Sequence, residues 1–93
     1  MQGEIKTVED IKLFVKDGCH LCEQAIDVVD AVCVQNGVAW QKITLTESDP
    51  DFGKYAEYFP VLEVHGVWQG FWRIDPKRLT HILERLVRES KNG

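Results

Sequence analysis

The sequence predicts one small α/β domain, in which helices flank a four-stranded mixed sheet. Two observations support this prediction. The apolar pattern alternates between strand and helix spacing in the order β-α-β-(short α)-β-β-α. The chain has 93 residues, which is enough for one domain and too few for two. The domain should therefore span residues 1–93, and residues 1–9 and 89–93 are expected to be frayed termini.

The four predicted strands are short and are bounded by turn residues. They are Ile11–Lys16, Ala39–Thr44, Val61–Val64 and Val67–Trp72. The first has apolar residues on both faces, which predicts a position near the centre of the sheet. A helix separates the first two strands, so they should be parallel with a right-handed crossover. A tight turn at His65-Gly66 should join the last two as a hairpin.

Three segments have helical spacing. Leu21–Gln35 carries a broad apolar face and stops at Asn36-Gly37. Phe52–Tyr58 is weakly helical. The last helix has Asp75 as its N-cap and Pro76 at its first position, followed by an apolar stripe of Leu79, Ile82, Leu83, Leu86 and Val87.

Composition and charge exclude several classes of function. The net charge is −4 and the basic residues are scattered along the chain, so no nucleic-acid partner is expected. The apolar stretches are too short to span a bilayer, so no membrane partner is expected. The charged N-terminal residues lack the apolar stretch of a signal peptide. We therefore expect a cytoplasmic protein and a monomer.

The segment "DGCHLCEQA" contains two cysteines, Cys19 and Cys22, where the first strand gives way to the first helix. Backbone N–H groups without helical partners favour a thiolate there, but this effect is only about 0.3–1 kcal/mol. Lys16 and His20 are candidate cations that would add to it. Residues three apart in a helix lie within disulfide-bonding distance. The spacing therefore favours a redox couple in which Cys19 attacks a substrate disulfide and Cys22 resolves the mixed disulfide.

Two alternatives remain open for this cysteine pair. A metal site needs about four ligands, usually supplied as two close pairs. The other candidate ligands, which are Cys33, His20, His65 and His81, form no second close pair. The two cysteines could instead be small buried apolar residues, although a strand-to-helix junction normally reaches the surface. Cys33 shares the apolar face of the first helix and is predicted to lie in the core.

Three segments, "KDGCHLCEQA", "YAEYFPVLEVHG" and "DPKRLTHIL", resemble the glutaredoxin-like branch of the thioredoxin superfamily. Within that branch they are similar to small glutaredoxin-like proteins described only as a domain of unknown function. The resemblance implies a thioredoxin-like fold and a thiol–disulfide oxidoreductase. It also implies that Pro60 is a cis-proline facing the cysteines, with Phe59 and Val61 beside it in the substrate site.

The same resemblance bears on cofactors and partners. It implies no bound cofactor, and glutathione or a reductase as electron donor. The expected substrate is a disulfide-containing protein or a glutathione mixed disulfide. The alternative is a catalytically inactive binding module of the same fold, which binds a metal or a partner.

The chain departs from common glutaredoxin patterns at two places. His20 and Leu21 stand between the cysteines where proline and tyrosine are usual. Only Gly70 remains of a glycine pair that helps to hold glutathione, and three aromatic residues crowd that region, Trp68, Phe71 and Trp72. These aromatic residues are expected either to pack in the core or to form an apolar patch for a protein substrate.

Overall fold

The computed structural model describes residues 10–92, with side chains described as far as Glu89. Its elements are β1 (Ile11–Val15), α1 (His20–Gln35), β2 (Gln41–Thr44), α2 (Phe52–Tyr55), β3 (Val61–Val64), β4 (Val67–Phe71) and α3 (Pro76–Asn92). The strands form one sheet in the order β2-β1-β3-β4. β1 runs parallel to β2 and antiparallel to β3, and β3 and β4 form the hairpin. The predicted α/β architecture and its mixed sheet are confirmed.

Several bounds differ from the prediction for local reasons. β2 begins at Gln41 because its pairing with β1 begins there, opposite Lys12. β4 ends before Trp72, which has a φ of 62° that no regular strand accommodates. α2 is a single turn that ends at Tyr55. α3 continues to Asn92, so residues 89–92 of the C-terminal stretch expected to fray are helical. The other stretch expected to fray, residues 1–9, lies outside the described residues.

The two faces of the sheet are covered by different elements. β1 lies between β2 and β3, and its side chains Leu13 and Phe14 are buried on opposite faces. α1 and α3 pack against each other on the Leu13 face, and α2 covers the Phe14 face. No helix within residues 10–92 combines the length and the apolar character needed to cross a membrane.

The α2 face contains a stacked aromatic core with one buried acid. The ring of Tyr55 stacks between those of Phe14 and Trp68. The distance between ring centroids is 4.3 Å to Phe14 and 5.5 Å to Trp68. The Tyr55 hydroxyl donates a 2.6 Å hydrogen bond to Glu63 Oε2. Glu63 is 6% exposed and is the one buried charged residue in the described part of the chain. Burial and this hydrogen bond raise the pKa of Tyr55 above its ordinary value.

Replacing Tyr55 with Phe should lower the free energy of unfolding by about 1–3 kcal/mol, because Glu63 would remain buried without its hydrogen-bond donor. Urea denaturation of the variant measures this loss. The double variant Tyr55→Phe/Glu63→Leu removes both partners and should recover part of the lost stability. A double variant that loses the sum of the two single effects would contradict a coupling between these residues.

Candidate active site

Cys19 occupies the N-cap position of α1. Its backbone is extended, and its carbonyl accepts the first helical hydrogen bond, from Glu23 N at 3.1 Å. Its Sγ accepts a hydrogen bond from the backbone N–H of Cys22 at 3.2 Å. Gly18, with a φ of 71°, makes the turn that brings the chain from β1 into this position. The Cys19 sulfur therefore takes the place that a serine or aspartate oxygen takes in an ordinary helix cap.

Cys22 lies one turn later and is buried, with 2% of its surface exposed. Burial, followed by a hydrogen bond with Cys19, raises the pKa of the Cys22 thiol from 9.0 to about 12. A backbone hydrogen bond from Lys16 and the Lys16 charge act in the opposite direction. Cys19 is partly exposed, and the two residues are thiols with no disulfide between them. The pair is thus asymmetric, with an accessible outer thiol and a protonated inner one.

Lys16 interacts both with Cys22 and with Phe59 in the loop before β3. Its side chain is exposed, and Nζ lies 5.8 Å from the centroid of the Phe59 ring, in a cation–π contact. His20 is exposed at the first position of α1. Among the described residues it forms no hydrogen bond or ion pair, so no contact holds its side chain at Cys19.

The loop before β3 contains the cis peptide bond Phe59-Pro60. Both side chains are buried, and the Pro60 carbonyl accepts a hydrogen bond from Trp72 N at 3.0 Å. The main chain of Phe59 makes no hydrogen bond within residues 10–92. Val61 is fully buried and is paired with β1 on one side and β4 on the other. Of the three residues in the predicted substrate site, only Phe59 has an uncommitted main chain.

An apolar groove of about 400 Å³ lies beside the cysteine pair, lined by Leu21, Phe71, Trp72 and Arg73. Trp72 is half exposed and holds its position through four contacts, one of which is a 3.3 Å hydrogen bond from its backbone N–H to the Tyr58 carbonyl. Its backbone N–H bonds the Pro60 carbonyl, its indole N–H donates to the Glu57 carbonyl at 2.9 Å, and its ring meets Phe71 edge-on at 4.9 Å. A positive φ is unusual for a bulky residue, and these contacts over-determine it here.

The aromatic residues in and just after β4 thus divide between the two expected roles. Trp68 packs in the core with Tyr55, whereas Phe71 and Trp72 remain 41% and 51% exposed beside Leu21. The sequence predicted that Trp72 lies inside the strand and that it either packs in the core or joins an apolar patch; the structure places it after the strand, in the wall of the groove. The available signal was the group of aromatic residues around Gly70, the one glycine that remains of the pair.

The remaining candidate metal ligands do not gather at the cysteines. Cys33 is fully buried in the core, as predicted. His65 and His81 line a different groove, between the β3–β4 hairpin and α3. In the part of the chain that the structure describes, no three His, Cys, Asp or Glu residues are grouped so that they could hold a metal ion.

Comparison with protein families gives a match to the glutaredoxin-like domain (DUF836) over residues 10–84, which is most of the chain and includes both cysteines and Pro60. The chain belongs to this glutaredoxin-like family. A solved structure of the target protein XcR50 from X. campestris is 24% identical and superposes with a TM-score of 0.65. The alignment covers 81% of this glutaredoxin-like chain and 96% of XcR50, which shows a shared thioredoxin-like fold. No curated protein matches the sequence.

Proposed function

We propose that this protein is a cytoplasmic thiol–disulfide oxidoreductase that works through a Cys19/Cys22 dithiol–disulfide couple. The observation that carries the proposal is the asymmetry of the pair at the start of α1. Cys19 is accessible and accepts a backbone N–H at its sulfur, while Cys22 is buried and holds its proton to about pH 12. Cys19 is thus suited to attack the substrate disulfide, and Cys22 is suited to resolve the mixed disulfide afterwards.

The reaction needs only these two residues and a substrate disulfide. The Cys19 thiolate attacks one substrate sulfur, and a mixed disulfide forms as the substrate S–S bond breaks and the second substrate sulfur leaves as a thiolate. Cys22 then attacks Cys19 Sγ as its proton is lost to solvent. This forms the Cys19–Cys22 disulfide and releases the substrate sulfur that Cys19 had attacked, which takes up a proton as the second product thiol. The substrate is reduced by two electrons and the protein is oxidised by two. Glutathione or a reductase returns the pair to the dithiol.

The loop and the groove beside Cys19 support a polypeptide substrate over glutathione alone. The free main chain of Phe59 can pair with an extended substrate segment, in the manner of strand addition. Leu21 and Trp72 offer an apolar surface to side chains next to the substrate disulfide.

Thiol mapping by mass spectrometry tests the proposal. After mild oxidation the protein should lose two hydrogens, and the new disulfide should map to the peptide that contains Cys19 and Cys22, while Cys33 remains alkylatable after unfolding. The couple should also reduce an oxidised protein substrate catalytically. A protein that purifies with stoichiometric zinc, or that forms no Cys19–Cys22 disulfide, would instead be a binding module of the same fold.

A redox titration against glutathione buffers then distinguishes the electron donors. A potential near the glutathione poise, about −220 to −260 mV, with turnover of small mixed disulfides would indicate glutathione as donor. A lower potential, about −270 mV, with turnover of protein disulfides only would indicate a reductase.

A further inference from the structure

A second groove lies at the opposite end of the sheet from the cysteine pair. It encloses about 810 Å³ between the β3–β4 hairpin and α3. Its apolar floor includes Val64, Val67, Ile82 and Leu86. Val64 pairs with Ile11, the first residue of β1, whereas Cys19 follows the last residue of that strand. The groove is therefore separate from the site proposed for thiol chemistry.

One wall of this groove is an open sheet edge. β4 is the outermost strand, and within residues 10–92 no further strand pairs with its outer edge. Val67, which begins β4, is 58% exposed. The Arg78 guanidinium donates hydrogen bonds to the backbone carbonyl and the side-chain oxygen of Gln69, both at 3.2 Å, and so ties α3 to the middle of the strand. Apart from this Gln69 carbonyl, the outer edge of β4 has no strand partner within residues 10–92, and an open edge beside an apolar groove is a template for an added strand.

The other wall of the groove is positively charged. Lys77, Arg78, His81 and Arg85 line it from α3. The one acidic lining residue, Asp75, is engaged as the N-cap of α3, where it accepts the Lys77 N–H at 3.0 Å. Three Lys and Arg residues therefore line the groove against one Asp, although the whole chain has a net charge of −4. The fold thus concentrates on one groove a basic character that looks dispersed in the sequence.

From the open edge, the apolar floor and the basic wall together, we propose that the β4–α3 groove binds an extended acidic segment of a partner protein. The segment adds as a strand to the outer edge of β4. Every second side chain of the segment points to the α3 side of the sheet. Of these, the apolar ones lie on Val67 and Ile82, and the acidic ones face the basic residues of α3. Self-pairing of two copies through this edge would bring the two basic walls together, so an acidic partner fits better than a second copy.

A fluorescent peptide tests the docking mode on the full chain, with binding followed by fluorescence anisotropy. In it, Thr alternates with the residues that are to face α3, which are Val and Glu in turn. Two further peptides carry N-methyl groups on alternate amides, one set on each edge. Strand addition uses one edge only, so one methylated peptide should lose at least about tenfold in affinity and the other should bind as the parent does. This arm needs no protein variant.

Charge-reversal variants test the basic wall. Lys77→Glu/Arg85→Glu should weaken binding by about tenfold or more, and the matched variant Lys42→Glu/Lys54→Glu, on β2 and α2, should change it by less than about twofold. These lysines and arginines are all exposed, so both variants should fold. Replacing Glu by Lys in the peptide should abolish binding.

Three results would overturn the proposal. Equal binding of both methylated peptides would mean adsorption by charge without strand pairing. Equal losses in the two double variants would mean that the whole surface, not this groove, binds the peptide. Displacement of the peptide by a single-stranded oligonucleotide of equal charge would mean a general polyanion site. Loss of disulfide reduction in the Cys19→Ser variant has no bearing on any of these readouts.

Discussion

The Cys19→Ser variant is expected to lose disulfide reductase activity by more than about a thousandfold, to the uncatalysed background. The serine hydroxyl can occupy the same N-cap position and accept the same Cys22 N–H, so the fold should be retained. It does not ionise at neutral pH, however, and cannot form a mixed disulfide. Turnover of an oxidised protein substrate, coupled to a reducing system, measures the effect. Activity close to that of the parent protein would exclude Cys19 as the nucleophile.

The Cys22→Ser variant should give a different result, because it retains the attacking thiol and lacks the resolving one. We expect it to accumulate a covalent mixed disulfide with the substrate, visible by non-reducing electrophoresis and by intact mass. Cys33→Ala is the control, since Cys33 is buried in the core and should leave turnover unchanged. Trapping through Cys33 in the Cys22→Ser protein would contradict the assigned roles.

The reduced protein should become less stable with rising pH between about 9 and 12. In the folded state the Cys22 thiol holds its proton to about pH 12, whereas an unfolded cysteine releases it near 9.0. Within this window the unfolded state binds fewer protons, so the free energy of unfolding falls by about 1.4 kcal/mol per pH unit for this one group. Below pH 9 both states are protonated, and Cys22 contributes no pH dependence. Tyr55, whose pKa is also raised, adds a loss of the same sign at higher pH.

Urea denaturation between pH 8 and 11, in the presence of a reductant, measures this slope. The Cys22→Ser variant has no titrating group at that position and should show a shallower decline than the parent. The oxidised protein should resemble the variant, because a disulfide sulfur carries no proton. If the free energy of unfolding fell equally steeply with pH in the reduced parent and in Cys22→Ser, the buried thiol would not be the cause of the loss of stability at high pH.

The architecture could be predicted from the sequence because, at nearly every element, the apolar periodicity and the capping residues indicated the same type of secondary structure. Asp75 is the N-cap of α3, and β1 is buried on both faces at the centre of the sheet. The cysteine pair was also placed correctly at the start of α1, because Gly18 and the change of period mark that junction. These features depend on residues close together in the chain.

Other features depend on residues far apart and were not predictable from local patterns. Trp72 departs from the strand conformation because its backbone N–H donates to the Pro60 carbonyl and its indole N–H donates to the Glu57 carbonyl. The partner of Glu63 is Tyr55, eight residues earlier, and no periodicity indicates that pairing. The basic groove likewise exists only because α3 folds back along β4.

The three tryptophans have a consequence for spectroscopy. Trp72 stands half exposed beside Leu21, which lies between the two cysteines in the sequence, while Trp68 is stacked on Tyr55. Trp40 precedes β2 at the far end of the sheet, where its indole donates to Asp30 at 3.1 Å. The intrinsic fluorescence of the protein therefore combines one emitter at the thiol site with two that are remote or enclosed. A Trp40→Phe background leaves Trp72 as the main solvent-exposed emitter, so that occupation of the cysteine groove can be followed without any attached dye.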